Sequence, residues 1–282
     1  MKRKWIIVLL LVSVSGFLLV ELACAVVVKW QAAAMRSSDS CNLKQIGIAL
    51  HKYASANEND LPEASIPLKY GAFESRLSWV VSLLPFMEYD ERFKQFARTQ
   101  GWDSEHNQSP SRSLLPSFLC PAVRPSKPIM ACTALSSLPA SRVSPSYFGV
   151  SGIGPESPFP PLSDRRCGIL GHGRRVNLEK DIPDGLSSTI AVIETARVSG
   201  TWAAAHYPTL RWIDVDEAEQ VGKEAPFGRT HVPSWYWRGS SGVVASALMG
   251  DGTVKQLTPK ISPRVLADVA TVAGGEQVSP DW

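Results

Sequence analysis

Residues 1–28 read MKRKWIIVLLLVSVSGFLLVELACAVVV, and this stretch decides the plan of the chain. Between positions 5 and 28 the single charged residue is Glu21. As a helix, this run would span about 36 Å, which is enough to cross a bilayer core of about 30 Å. Basic residues at positions 2–4 predict a cytoplasmic N-terminus. We therefore expect a signal anchor, with one span in the inner (cytoplasmic) membrane and an extracytoplasmic C-terminal bulk.

The same run also permits processing of the N-terminus. A cleaved secretory signal would use the small residues at positions 22–25, and a lipoprotein would use Cys24. Residues 16–21 (GFLLVE) resemble the cleavage site of type IV pilins and pseudopilins, where the bond after the glycine is cut and the glutamate pairs with a neighbouring subunit's N-terminal amine. Here residues 5–15 are apolar, whereas the pilin leader is short and polar. The candidate prepilin-type residues are Gly16, Phe17 and Glu21.

The amphipathic pattern continues beyond the membrane run. Leu43, Ile46, Leu50 and Tyr53 recur at helical spacing, which predicts that one long helix leaves the membrane and packs on a folded domain. Further elements follow from periodicity and turn residues: a helix over 77–96 broken near Pro85, strands over 188–194 and 209–215, a hairpin over 243–257 and a helix over 263–272.

Proline usage divides the chain. Eleven of its 21 prolines lie between positions 110 and 161, which predicts loops and short edge strands there. We therefore predict an α+β protein in which a long N-terminal helix packs on an antiparallel sheet in a pilin-like way, with a β-rich C-terminal portion. The expected parts are a tip and membrane anchor (1–30), a pilin-like helical part (31–109), a proline-rich loop or seam (110–161) and a β-rich part (162–282).

Charge and cysteine usage exclude several functions. The net charge is +3, with no dense basic block after the first four residues, so we expect no nucleic-acid partner. The five cysteines form no CxxC pair, so the sequence predicts no structural zinc site. Gly149, Gly152 and Gly154 lie in the proline-rich segment and no phosphate-binding loop with lysine is present, so we expect no cofactor. An oxidising compartment would permit a disulfide among Cys41, Cys120, Cys132 and Cys167, but their spacing does not assign the pairing.

Several ordered motifs resemble the bacterial family called domain of unknown function 1559. They are CNLKQIGIALHKY (41–53), SW (78–79) with LPFME (84–88), FLCP (118–121), SYFGV (146–150) and DIPDGLSSTI (181–190) ending at Glu194. The resemblance implies a pilin-like N-terminus and a C-terminal motif of histidine followed by Asp-Gly, and it implies no established activity. The family-motif residues are Asp184, Gly185, Glu194, His231, Asp251 and Gly252. The segment 232–250 is longer than in the family, as expected of an insertion.

A structural role explains the residues at these positions more simply than a catalytic or metal-binding role does. Asp184-Gly185 is typical of a turn, although Asp181, Asp184 and Glu194 could instead form a carboxylate cluster for a cation. His172 has no second histidine at ligand spacing. His231 could pair with Asp251, and such a histidine–carboxylate contact is more often structural than catalytic. The sequence therefore predicts no catalytic, cofactor-binding or metal-binding residue, and no enzyme.

The function predicted is structural or interaction-based. We expect a pseudopilin-like component of the cell envelope or a secretion system, with the membrane and then self-association or envelope and secretion proteins as partners. Trp235, Tyr236 and Trp237 lie in the apparent insertion and form a candidate surface patch. The alternatives are an extracytoplasmic solute- or glycan-binding protein that uses this patch, and a hydrolase built on His231 or His172.

Overall fold

A computed structural model describes most of the chain. It covers residues 2–69, 71–123, 144–197, 200–222, 224–231 and 242–275, and for residues 2–4 and 6–10 it describes the backbone alone. Cys132 and the aromatic group Trp235, Tyr236 and Trp237 lie outside these residues.

The N-terminal part of the chain is one uninterrupted helix. This helix, α1, spans Lys2–Ala56 and is about 80 Å long. Large apolar side chains are exposed from Leu11 to Val27, whereas Leu43, Ile46 and Leu50 are buried. One element therefore combines a segment long and apolar enough to span a membrane with a segment that packs on the folded domain.

A five-stranded sheet forms the centre of the folded domain. Its strands are β3 (Tyr147–Ile153), β4 (Ile190–Glu194), β5 (Leu210–Ile213), β6 (Ala245–Met249) and β7 (Val254–Leu257), in the spatial order β5-β3-β4-β6-β7. A two-stranded sheet pairs β1 (Ser65–Ile66) with β2 (Leu77–Ser78). The short helices are α2 (Trp79–Leu83), α3 (Asp90–Lys94), α4 (Glu105–Ser111) and α5 (Pro263–Asp268). The fold is α+β, as predicted.

The sheet is mixed, which corrects the expectation of an antiparallel sheet. β3 pairs antiparallel with β4 but parallel with β5. The chain leaves β4, crosses the end of β3 and enters β5 on the far side, so it runs in the same direction as β3. The predicted hairpin is present, since β6 and β7 pair antiparallel around a turn in which Gly252 has φ +85°.

Both faces of the sheet are covered. One hydrophobic cluster lies between α1, the short helices and the sheet, and a second lies on the face that α5 covers. All five residues of β4 are therefore buried, although the alternation in its sequence is typical of a half-buried strand. The helix meets the sheet at Gly47, where an added Cβ would lie 3.0 Å from Leu248 Cδ1.

The structure differs from two further predictions about individual helices and strands. β3 is an interior strand within the range 110–161, for which the prolines predict loops and edge strands. Residues 146–154 contain no proline, so this strand keeps every N–H that its two neighbours require. The helix predicted over 77–96 does break near Pro85, where α2 gives way to a 3₁₀ helix (Leu84–Met87). It is interrupted again at Glu88, which has φ +63° and precedes α3, and its first two residues belong to β2.

Candidate functional site

Four side chains from distant parts of the sequence meet where α1 crosses the sheet. They are Asp39 of α1, Cys120, Glu194 at the end of β4, and His231. One potential ligand atom from each lies within 4.8 Å of the others. All four residues are buried, with 0–1% of their surface exposed. We call this group the buried cluster.

Asp39 is positioned by the β3 residue Tyr147. The Tyr147 hydroxyl donates to Asp39 Oδ1 at 2.5 Å. Asn42, one helical turn after Asp39, donates to the Tyr147 oxygen at 3.2 Å and to the Leu119 carbonyl at 3.0 Å. This network fixes the rotation of α1 so that Asp39 Oδ2 remains without a hydrogen bond and is available to the cluster.

Cys120 reaches the cluster from the FLCP motif. The motif begins in a 3₁₀ helix (Pro116–Phe118), and the buried Phe118 holds the segment against Trp79. The Cys120 thiol then lies 3.5 Å from His231 Nε2. Burial raises the pKa of the Cys120 thiol, and the nearby carboxylates of Glu194 and Asp39 raise it further.

Glu194 is the last residue of β4, at an interior position of the sheet. Its Oε2 accepts a hydrogen bond from the Ser246 backbone N–H of β6 at 3.3 Å. Its Oε1 has no hydrogen bond, although it lies 3.3 Å from His231 Nε2 and 3.7 Å from Arg229 Nε. A carboxylate oxygen that is buried and unpartnered costs free energy unless a charge compensates it.

His231 is brought in by a segment that runs along the end of β4. Gly228 N–H donates to the Glu194 carbonyl at 3.2 Å, and Arg229 pairs with Val244. His231 Nε2 consequently lies near three potential ligands, since Asp39 Oδ2 is also 4.0 Å away. The possible contact between His231 and Asp251 is absent, because His231 is buried against Glu194 while Asp251 accepts hydrogen bonds from Thr253 at the hairpin turn.

The electrostatics of the buried cluster favour a shared positive charge. The pKa of Asp39 is raised, chiefly by burial and then by the charge of Glu194. The pKa of Tyr147 is raised well above its ordinary value by burial and by Asp39, so this hydroxyl remains a donor. Two carboxylates, a thiol and an imidazole in a buried space are ligands suited to a divalent transition metal.

The other family-motif residues perform structural tasks. Asp184 Oδ2 accepts from Gly274 N–H at 2.7 Å, and Asp184 Oδ1 accepts from Gly275 N–H at 3.2 Å. Gly185 has φ +93°, as the turn reading predicts. The alternative cation cluster does not form, because Asp181 accepts from Asn177 N–H while Glu194 belongs to the buried cluster.

The candidate prepilin-type residues lie on the apolar part of α1. An added Cβ at Gly16 would meet no atom within 4 Å, and the Phe17 side chain is exposed. Glu21 lies on the same helix. The candidate aromatic patch of Trp235, Tyr236 and Trp237 falls outside the described residues, so its surface placement stays a prediction.

His172 does have a histidine neighbour in space. Its Nε2 lies 3.3 Å from Nδ1 of His206, and its Nδ1 lies 2.9 Å from the Ser65 hydroxyl. The rings of Phe73 and Phe159 enclose the pair. Burial, followed by the charges of His206, Arg76 and Arg174, lowers the pKa of His172 to about 3. The same positive surroundings oppose a metal cation here.

Sequence reasoning missed Asp39 altogether, and it considered Cys120 as a possible disulfide partner and as part of the FLCP motif but not as a metal ligand. The described cysteines Cys24, Cys41, Cys120 and Cys167 are all free thiols. The ligand spacing of the buried cluster, at positions 39, 120, 194 and 231, matches no local metal motif. The one usable signal was that three of the four positions lie in or beside family-like motifs.

Comparison with known proteins identifies a family. Residues 30–264 match the family model described as "Protein of unknown function (DUF1559)", which covers most of the chain and includes the whole buried cluster. No curated protein and no solved structure matches.

Proposed function

The chain belongs to the DUF1559 family, and we propose that it is a membrane-tethered extracytoplasmic protein with a structural or interaction role. The observation that carries this proposal is α1, in which an exposed apolar segment continues without a break into the buried core of the domain. Exposing an apolar helical segment of this length to water costs free energy, whereas placing it in lipid is favourable.

The orientation follows from charge. Positions 2–4 are all basic, and basic residues beside a membrane span are retained in the cytoplasm. The folded domain, which lies beyond the other end of the span, is then extracytoplasmic. This placement agrees with the cell-envelope role that the family resemblance suggests.

A structural role is favoured over an enzymatic one by the closure of the buried cluster. Its four side chains are 0–1% exposed, so a substrate would have no path to the thiol or the imidazole without local opening. The described surface instead offers an open groove of about 850 Å³ on α1, where exposed Ile48 lies between Lys44 and Lys52, beside Phe86 and Asp251. Such a surface suits contact with another protein.

Labelling of single cysteines tests the tether. Cys41 is exposed, whereas Cys24 lies about 26 Å away along α1, inside the expected span. In variants that retain only one cysteine, a membrane-impermeant maleimide added to intact cells with a permeabilised outer membrane should label Cys41 and leave Cys24 unlabelled. The lipid environment denies Cys24 the water that its thiolate requires.

The control is the cysteine-free variant, which should remain unlabelled and fractionate with the membrane. Labelling of Cys41 only after cell lysis would show the opposite orientation, and recovery of the intact chain in the soluble fraction would contradict the tether.

The pseudopilin-like part of the proposal concerns the bond between Gly16 and Phe17. Cleavage would leave residues 17–28, about 18 Å of apolar helix, as the span. Mass spectrometry of the mature protein identifies its first residue. A chain that begins at Phe17 is processed like a filament subunit, and a chain that begins at Met1 is a static anchor. The solute- or glycan-binding alternative rests on the aromatic patch and stays a prediction.

A further inference from the structure

We propose that Asp39, Cys120, Glu194 and His231 form a four-coordinate site for a divalent metal cation of the zinc class. The ligands would be Asp39 Oδ2, Cys120 Sγ, Glu194 Oε1 and His231 Nε2. The inference goes beyond the proposed function, because it does not depend on where the protein is located.

Two of the separations measured from His231 Nε2 match those in a tetrahedral metal site. With metal–nitrogen and metal–oxygen distances of about 2.0–2.1 Å and a metal–sulfur distance of about 2.3 Å, nitrogen lies about 3.3 Å from oxygen and about 3.6 Å from sulfur. His231 Nε2 is 3.3 Å from Glu194 Oε1 and 3.5 Å from Cys120 Sγ. Asp39 Oδ2 lies 4.0 Å from the same nitrogen, about 0.7 Å farther than an oxygen in an ideal tetrahedral site.

The two carboxylate oxygens that face the cluster have no well-formed hydrogen bond, although the Ser246 side chain interacts with Asp39 and the Cys120 thiol interacts with Glu194. Asp39 Oδ2 and Glu194 Oε1 are fully buried and have no hydrogen bond, while the other oxygen of each group is hydrogen-bonded to the protein. Hydrogen bonds of this kind fix a carboxylate in place and leave one oxygen free to coordinate a metal.

A divalent cation also balances the buried charge. Asp39, Glu194 and a Cys120 thiolate together carry three negative charges, and the Arg229 guanidinium beside Glu194 supplies one positive charge. A bound dication brings the sum to zero. A metal ion binds the deprotonated thiol, so its binding would release the Cys120 proton.

The site would be a structural metal site that holds separate segments of the chain together. Four protein ligands complete a tetrahedral zinc site and leave no position for a substrate. The ligands come from α1, the segment after Phe118, the end of β4 and the segment 228–231. The ion would thus tie the membrane helix to three separate parts of the folded domain.

Metal analysis of the full chain in detergent tests the proposal. Protein purified with zinc present should contain one zinc ion per chain. After replacement by cobalt, the wild-type protein should show the visible bands of four-coordinate Co²⁺ and the near-ultraviolet band of a thiolate bound to it.

Two variants connect the signal to the cluster. Cys120→Ser should abolish the thiolate band, and Cys167→Ser is the matched control because Cys167 is also buried but lies outside the cluster. Glu194→Gln should keep the thiolate band and weaken zinc affinity by more than the about 10–100-fold that follows loss of an outer-shell partner.

The competing interpretation is a cluster neutralised by a proton in place of a metal. It predicts no stoichiometric zinc and no thiolate–cobalt band in the folded wild-type protein, and either result overturns the proposal. Equal loss of the band in the Cys167→Ser control would also overturn it. If Cys120→Ser does not fold, the cobalt spectrum of the wild-type protein and the zinc affinity of Glu194→Gln still test the proposal.

Discussion

Individual residues show how burial changes the chemistry of a side chain in this protein. His172 is an unremarkable histidine in the sequence, next to glycines on both sides. In the structure it is buried against Phe73 and Phe159, and its pKa falls to about 3 from an ordinary value of 6.5. The folded protein therefore holds this ring neutral at pH values where the unfolded chain would protonate it.

This shift predicts an acid-sensitive stability. A lowered pKa contributes stability that is fully present above pH 6.5 and is lost as the pH falls towards 3, because only the unfolded state binds the proton in that window. One such group changes the free energy of unfolding by at most about 1.4 kcal/mol per pH unit. His172→Gln should flatten the decline of stability between pH 6.5 and 4, as measured by chemical denaturation of the full chain in detergent.

The matched control for this prediction is His106→Gln. His106 is exposed and bonds only to the Gln95 carbonyl among the contacts described. Its variant should follow the wild-type pH curve, and an unchanged slope in His172→Gln would contradict the assignment.

At the scale of elements, the decisive contact is the one between α1 and the sheet. Glycine in a helix interior costs about 0.5–1 kcal/mol relative to alanine, so Gly47 requires a compensating reason. The reason is close packing, because Leu248 Cδ1 and the Gly252 backbone lie 3.0 and 3.5 Å from the position of an added Cβ.

Gly47→Leu should therefore destabilise the folded domain by about 1–3 kcal/mol, since Leu248 is fully buried and a larger side chain forces α1 away from β6. Denaturant unfolding of the full chain in detergent measures the change. Ile48→Leu, on the exposed face one position further along, should change stability by less than about 0.5 kcal/mol. Similar effects from the two substitutions would disprove the packing account.

At the scale of the whole molecule, the larger hydrophobic cluster joins α1 and the short helices to late parts of the sequence. It contains Leu43 of α1, Trp79 of α2, Trp202 and Val272. The Trp79 indole donates to the Thr209 carbonyl and the Trp202 indole donates to the Ser113 carbonyl, so each tryptophan connects the early and late halves of the sequence.

This shared core predicts a single cooperative unfolding transition. Tryptophan fluorescence and the hydrogen exchange of amides in α2 and β4 should give the same midpoint in denaturant, because neither half keeps a complete core alone. Two separate midpoints would instead support the division of the chain at the proline-rich segment 110–161.

The sequence alone determined the features that depend on local pattern. The apolar run gave the long helix, the Asp-Gly turn gave the hairpin around Gly252, and ordered motifs gave the family. These features are predictable because periodicity, turn residues and motifs act over short distances along the chain.

Only the tertiary structure decided how the parts meet. It placed β5 parallel to β3, buried both faces of β4, and brought Asp39 and Cys120 to Glu194 and His231. Asp39 resembles any polar residue of a helix surface until Tyr147 and the sheet bury it. The physical reason is that a buried site forms where segments that are distant in the sequence pack together and exclude water. The spacing of residues along the sequence does not show which segments will do so.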